Sequence, residues 1–232
     1  MTSVQGARAR ARVEITAAIK DEARRQLAAE GAAKLSLRAV AREVGMVSSA
    51  LYRYFPSRDD LLTALIVDAY DAVGEAAETA LAAAPPEADH LARWTAVCRA
   101  VRAWALAHPH EYALIYGSPV PGYRAPQDTV GPAARVGLVL IGIVREAYTS
   151  DRIALPPLDA RLRPEAERIA ADIAPDLPPA VAVTLVAVWA QLFGTISFEV
   201  FGQFHRVVED RDAFFDDAAA RLGREAGLLP RP

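Results

Sequence analysis

Apolar residues recur along this chain at three- and four-residue intervals, and no segment alternates with period two over the length of a strand, so the pattern predicts an all-α protein. The clearest stretch is residues 31–62, GAAKLSLRAVAREVGMVSSALYRYFPSRDDLL. Leu37, Val40, Ala41 and Val44 fall at i, i+3, i+4 and i+7, one face of a helix about two turns long. Ser36 stands before it as an N-cap, and Gly45 follows where the chain must take a left-handed conformation to reverse. Leu51 and Phe55 face inward from the next short helix, which Pro56 ends because a proline has no amide hydrogen to continue the ladder. Ser57 with Asp60 three residues on is a capping box that opens a further helix carrying Leu61, Leu62, Leu65 and Ile66.

Two short helices joined by a tight turn are the grammar of a helix-turn-helix. Ile15, Ile19, Ala23 and Leu27 at successive i+4 positions predict a first helix over about 8–29 that closes a three-helix head. The fourth helix spans about 58–83 and stops at Pro85-Pro86. Helices follow at about 88–107 and 110–116, then a loop, GSPVPGYRAP (117–126), and a helix at 128–149. A proline-broken region (151–179) holds a short helix near 164–173, and the last two helices lie at about 178–205 and 209–226. Residues 1–57 read as a DNA-binding domain, and 58–232 as a C-terminal ligand-binding and dimerisation domain.

The outward face of the second short helix gives the motif its chemistry. Ser48, Ser49, Tyr52 and Arg53 lie at helical spacing, flanked by Tyr54 and Arg58. Small side chains allow close approach to DNA, hydroxyls bond phosphate oxygens, and an arginine can reach the O6/N7 edge of guanine with two hydrogen bonds. The competing reading is a solvated polar surface, against which two outward tyrosines beside a short apolar stripe weigh.

These residues also carry a resemblance. The run Gly45, Leu51-Tyr52-Arg53-Tyr54-Phe55 and Ser57-Arg58-Asp59-Asp60-Leu61 resembles the N-terminal domain of TetR/AcrR-type bacterial transcriptional regulators, over about residues 12–66 without a gap. The resemblance implies that Arg38 touches a base or its phosphate and that Ser48, Ser49 and Arg53 enter the major groove. It further implies that Tyr52 and Tyr54 bond the DNA backbone, that Arg58 holds a phosphate, and that Ser36 adds a phosphate contact to its capping role. One departure stands out: Val47 occupies the place before the recognition helix where the family usually has Ser or Thr, so the cap is expected from Ser48.

Net charge is only −3 over 232 residues, yet its distribution suits the motif. Residues 1–60 hold 11 Lys and Arg against 7 Asp and Glu, a balance of +4, whereas residues 61–232 hold 15 against 22, a balance of −7. Positive charge gathers where the motif lies and would attract a phosphate backbone. Arg8, Arg10 and Arg12 read equally as an arm along DNA or as a frayed tail. The start lacks the apolar core of a signal peptide, and the single cysteine permits no intrachain disulfide, so a reducing cytoplasm is expected.

Leu177–Phe198 carries no charge and is long enough to span a bilayer. Its two leading prolines, its Thr184, Gln191, Thr195 and Ser197, and the absence of flanking basic clusters favour instead a helix buried on all sides, half of a dimer interface. Trp189-Ala190-Gln191-Leu192-Phe193-Gly194 resembles the Trp-x-x-x-His-Gly element of the WHG-type C-terminal subclass, with Phe193 in place of the histidine, and ALAHPHEYALIYG (105–117) resembles the same subclass. By that resemblance the last two long helices pair with a second subunit.

No catalytic cluster is legible. His90, His108, His110 and His205 have no Cys or acid partners at ligand spacing, and Cys98 lies in an apolar stretch without a basic neighbour, so neither enzyme activity, a metal nor a cofactor is expected. Trp94, Trp104, Tyr112, Tyr116, Tyr123, Trp189 and Phe193 read as core packing or as the lining of a ligand cavity, with Arg102 and Gln191 as polar groups that orient a small apolar or aromatic effector. The expected function is a cytoplasmic, dimeric, ligand-responsive regulator bound to a palindromic operator as a repressor. The rival is an all-α ligand-binding or catalytic protein whose head is structural only.

Overall fold

The structure, a computed structural model, describes residues 2–85 and 87–229, with side chains from Gly6 onward. Pro86, the second of the two expected helix-stopping prolines, lies outside the described residues. The helices are α1 (Thr2–Glu30), α2 (Leu37–Glu43), α3 (Ser48–Leu51), α4 (Arg58–Ala82), α5 (His90–Ala107), α6 (Pro109–Tyr116), α7 (Val130–Thr149), α8 (Arg163–Ile173), α9 (Pro179–Val200) and α10 (Arg211–Glu225). No strand forms among the described residues, only an isolated bridge between Ile153 and Leu228. The all-α reading holds.

Two compact units divide the chain. The first comprises residues up to Tyr70 together with His108–Val130, and the second comprises Asp71–Ala107 with Gly131 onward. Compactness thus divides the chain elsewhere than the boundary at 57/58 expected from the sequence, and α6 with its following loop packs with the head.

In the first unit the predicted stripes meet. Ile19, Ala23 and Leu27 of α1 cluster with Leu37, Val40 and Ala41 of α2, Leu51, Phe55, and Leu61, Leu62 and Leu65 of α4, all at most 7% exposed. Each of the larger side chains contributes about 1.5–3 kcal/mol relative to exposure. The turn between α2 and α3 closes as a Schellman motif: Gly45 takes φ +70°, its N–H donates to Arg42 O, and Met46 N–H donates to Ala41 O. The first helix starts earlier than the pattern predicts and runs through Arg8, Arg10 and Arg12, so these side chains ride on a helix rather than on an extended arm.

In the second unit α10 packs on α5 and α9, while α8 packs on α9. Trp94 is fully buried and donates its indole N–H to Ala219 O at 3.1 Å, which pins α5 to α10. The expected helix at 178–205 ends at Val200 instead. Gly202 at φ +79° completes a second Schellman motif there, donating to Glu199 O while Gln203 N–H donates to Phe198 O. The glycine stop outweighs the aromatic periodicity that continues through Phe204.

Candidate nucleic-acid interface

Burial of Leu51 and Phe55 fixes which side of α3 and its following turn faces water. Leu51 is fully buried and Phe55 is 6% exposed, so Ser49, Tyr52 and Arg53 are turned outward, Tyr52 at 43% exposure. On α2, burial of Leu37, Val40 and Ala41 turns Arg38 outward in the same way. Ser36 caps α2 as predicted, its hydroxyl accepting from Ala39 N–H at 3.4 Å. Neither Arg38 nor Arg53 makes an ion pair among the described residues, whereas Arg24, Arg25 and Arg42 of the same unit are all paired with carboxylates. Two uncommitted guanidinium groups beside exposed hydroxyls can meet an external anion or base edge.

The cap of α3 differs from expectation. Ser48 is the first helical residue and half-buried, while Val47 occupies the N-cap position with no side-chain capping hydrogen bond. A valine has no acceptor for an amide, so the stabilisation of about 1 kcal/mol that a serine cap supplies is lost here. Val47 is 70% exposed.

Tyr54 and Arg58 are drawn inward. Tyr54 is half-buried against the head core, with the Arg12 guanidinium carbon 5.2 Å from its ring centroid, a cation–π contact within the usual reach. Arg58 donates from Nη2 to Ala32 O at 2.8 Å and to Ala33 O at 3.3 Å, and its Nη1 lies 3.7 Å from Asp59. It thereby holds the 3-10 turn Ala32–Lys34 that leads into α2. Ser57 caps α4 by accepting from Asp60 N–H at 3.1 Å, while its hydroxyl donates to Asp60 Oδ2 at 2.7 Å.

An ionic network stiffens the platform behind this face. Asp68 of α4 receives Lys20 Nζ at 2.7 Å and Arg24 Nη2 at 2.6 Å from α1, and Arg24 Nε lies 3.3 Å from Glu111 of α6. Sequence reading missed this network because its paired residues lie 44 to 87 positions apart and carry no periodic signal.

The aromatic residues expected to line one cavity fall into two groups. Tyr112, Tyr116 and Tyr123 belong to the first unit: the Tyr112 and Tyr116 rings lie 5.1 Å apart, and the Tyr123 hydroxyl bonds that of Thr63 at 2.9 Å. Burial pushes the Tyr116 phenol well above its ordinary pKa. The second unit holds Trp94, Trp104, Trp189 and Phe193, the last two with ring centroids 5.5 Å apart. Arg102 is committed within that unit. Its Nε and Nη2 each donate to Glu199 at 2.7 Å, its Nη1 to Asp212 at 2.7 Å, and its pKa is held above the ordinary arginine value chiefly by Glu199. Gln191 is exposed and bonds Glu225 at 3.3 Å.

Residues 19–65 match the family described as bacterial regulatory proteins, tetR family, and residues 94–222 match the Tetracyclin repressor-like C-terminal domain. The chain belongs to the TetR family. It is 41% identical over 229 residues to the HTH-type transcriptional regulators Rv1816 of Mycobacterium tuberculosis and Mb1846 of Mycobacterium bovis, covering 94% of each chain. The solved structure of regulatory protein SCO4313 superposes with a TM-score of 0.77 at 36% identity, over 92% of this chain and 97% of that one. As a TetR-family member the protein is a helix-turn-helix transcriptional regulator, a DNA-binding protein rather than an enzyme.

Proposed function

We propose that this TetR-family regulator acts in the cytoplasm as a homodimeric repressor that binds a two-fold symmetric operator and leaves it when a small effector binds. The observation that carries the reading is the solvent-facing set Arg38, Ser49, Tyr52 and Arg53, mounted on a packed core, with no charge partner for the two arginines among the described residues. Arg53, Ser48 and Ser49 enter the major groove. Arg38 and Ser36 meet its edge, and Tyr52 and Tyr54 bond the DNA backbone. Arg58, the remaining expected contact, reaches a phosphate only by leaving the carbonyl oxygens it now holds.

Dimerisation is supported by α9. Its Val181, Leu185, Val188, Leu192 and Ile196 are buried in the second unit. On another flank Val186, Ala190, Gly194 and Phe198, at successive i+4 positions, lie exposed. An apolar stripe with small residues at its centre permits close helix–helix approach and suits a second copy using α9 and α10. By length and composition α9 could cross a membrane, but its buried flank packs as a core helix does. Two heads so paired would present their recognition helices roughly 34–36 Å apart.

The effector is a small apolar or aromatic molecule, for which Trp104, Trp189 and Phe193 supply rings in the second unit. It would release DNA by binding better to the dimer whose heads are wrongly spaced.

Selection of bound duplexes from a random pool, followed by titration against competitor DNA, tests the reading. The expected result is a palindrome bound about 10³-fold or more over random DNA at physiological salt. Recovery of no site, with binding that vanishes in modest salt, would remove the operator reading.

A further inference from the structure

Val47 is the anomaly of the DNA-facing surface. Its side chain is 70% exposed, so it contributes little to the core. It stands at the N-cap of α3 with extended backbone (φ −70°, ψ 140°) and makes no capping hydrogen bond, so it does not secure the helix either. The exposed residues of α3 and the turn after it, Ser49, Tyr52 and Arg53, all carry polar groups. An isopropyl group in that company leaves the fold worse off than a serine would.

We propose that Val47 reads a thymine. Of the groups a base pair presents in the major groove, the thymine 5-methyl is the apolar one, and an apolar side chain at the groove floor is its natural partner. Cytosine presents an amino donor instead, adenine an acceptor and an amino donor, and guanine two acceptors, none of which an isopropyl group can satisfy. Burying Val47 against an amino or carbonyl edge would strip water from a polar atom and return no hydrogen bond. Val47 therefore both favours thymine and rejects the other bases, which makes it a specificity-determining residue. Serine at the same place would cap α3 and leave that base position open to any polar edge. This inference rests on the operator-binding reading above.

The test begins with the selected operator and replaces each thymine in turn by deoxyuridine, which removes the methyl group and keeps the pairing. The intact protein should lose about four-fold in affinity per half-site at one thymine position, the effect of one buried methylene-sized group. Val47→Ala and Val47→Ser should be indifferent to the swap at that position and unchanged at the others. Reselection with Val47→Ser should lose the thymine preference there. The serine variant restores a cap, so its thermal midpoint should equal or exceed that of the original chain, which separates a reading defect from a folding defect. If the intact protein is insensitive to methyl removal at every thymine, or if Val47→Ala keeps the full penalty at the same position, Val47 does not read thymine although the head still reads DNA. If no operator is selected at all, the operator reading and this inference fail together.

Discussion

Arg58 Nη2 donates to Ala32 O at 2.8 Å across 26 residues of sequence. A residue whose motif context assigns it to DNA phosphate is thus engaged with the backbone of the turn that delivers α2. Arg58→Ala should lower the stability of the head by about 1–2 kcal/mol, the scale of a charge-assisted hydrogen bond on a side chain that is about one-third exposed. The slope of log affinity against log salt should stay unchanged, because no phosphate contact is lost. A slope flattened by about one unit per head would return Arg58 to the phosphate role.

Arg53 is exposed and without an ion pair among the described residues. Arg53→Ala should relax base preference at one position per half-site by about 1–3 kcal/mol and leave affinity for random DNA nearly unaltered. Competition titrations with single-base operator variants measure this. An equal loss on every sequence would reassign Arg53 to the backbone.

Gly194 lies on the exposed flank of α9, with nothing within 4 Å of the place a Cβ would take. Gly194→Arg should therefore fold normally as a single chain yet block a second copy from that face. Analytical ultracentrifugation should show dimer for the original chain and monomer for the variant, and operator affinity should fall with it. A variant that remains dimeric would place the interface elsewhere.

Glu199 is 8% exposed and accepts two of the three guanidinium bonds of Arg102, the third of which goes to Asp212. Glu199→Ala should cost about 2 kcal/mol, somewhat less than the roughly 3–5 kcal/mol expected when a buried charge is left wholly unpaired. Replacing both Glu199 and Arg102 by leucine should recover part of that loss. Urea unfolding midpoints read both effects.

Glu78 and Asp216 are held below the usual carboxylate range, chiefly by hydrogen bonds from Arg135 and Arg99 respectively. A depressed carboxyl pKa adds stability that is fully present above the ordinary value of about 4 and is lost as pH falls through the lower, folded value. Unfolding midpoints should accordingly hold steady down to about pH 5 and fall below it. Arg135→Met should weaken the dependence, since Glu78 then titrates near its ordinary pKa in both states.

The sequence by itself determined the helix-turn-helix: the stripe Leu37, Val40, Ala41, the stop at Gly45, the inward pair Leu51 and Phe55, and the Ser57 cap all depend on residues within four or five positions of one another. Local spacing, capping chemistry and backbone freedom decide such features, and the chain carries them in its order. Tertiary structure alone decided the rest. It set Arg58 on Ala32, gave Glu199 to Arg102 from 97 residues away, packed residues 108–130 with the head, and left one flank of α9 uncovered. Periodicity shows which side of a helix is apolar, but not which neighbour will cover it or which arginine will find a carbonyl before it finds DNA. Those outcomes depend on packing between distant segments, where any of several acids, carbonyls or apolar faces would satisfy the same local pattern.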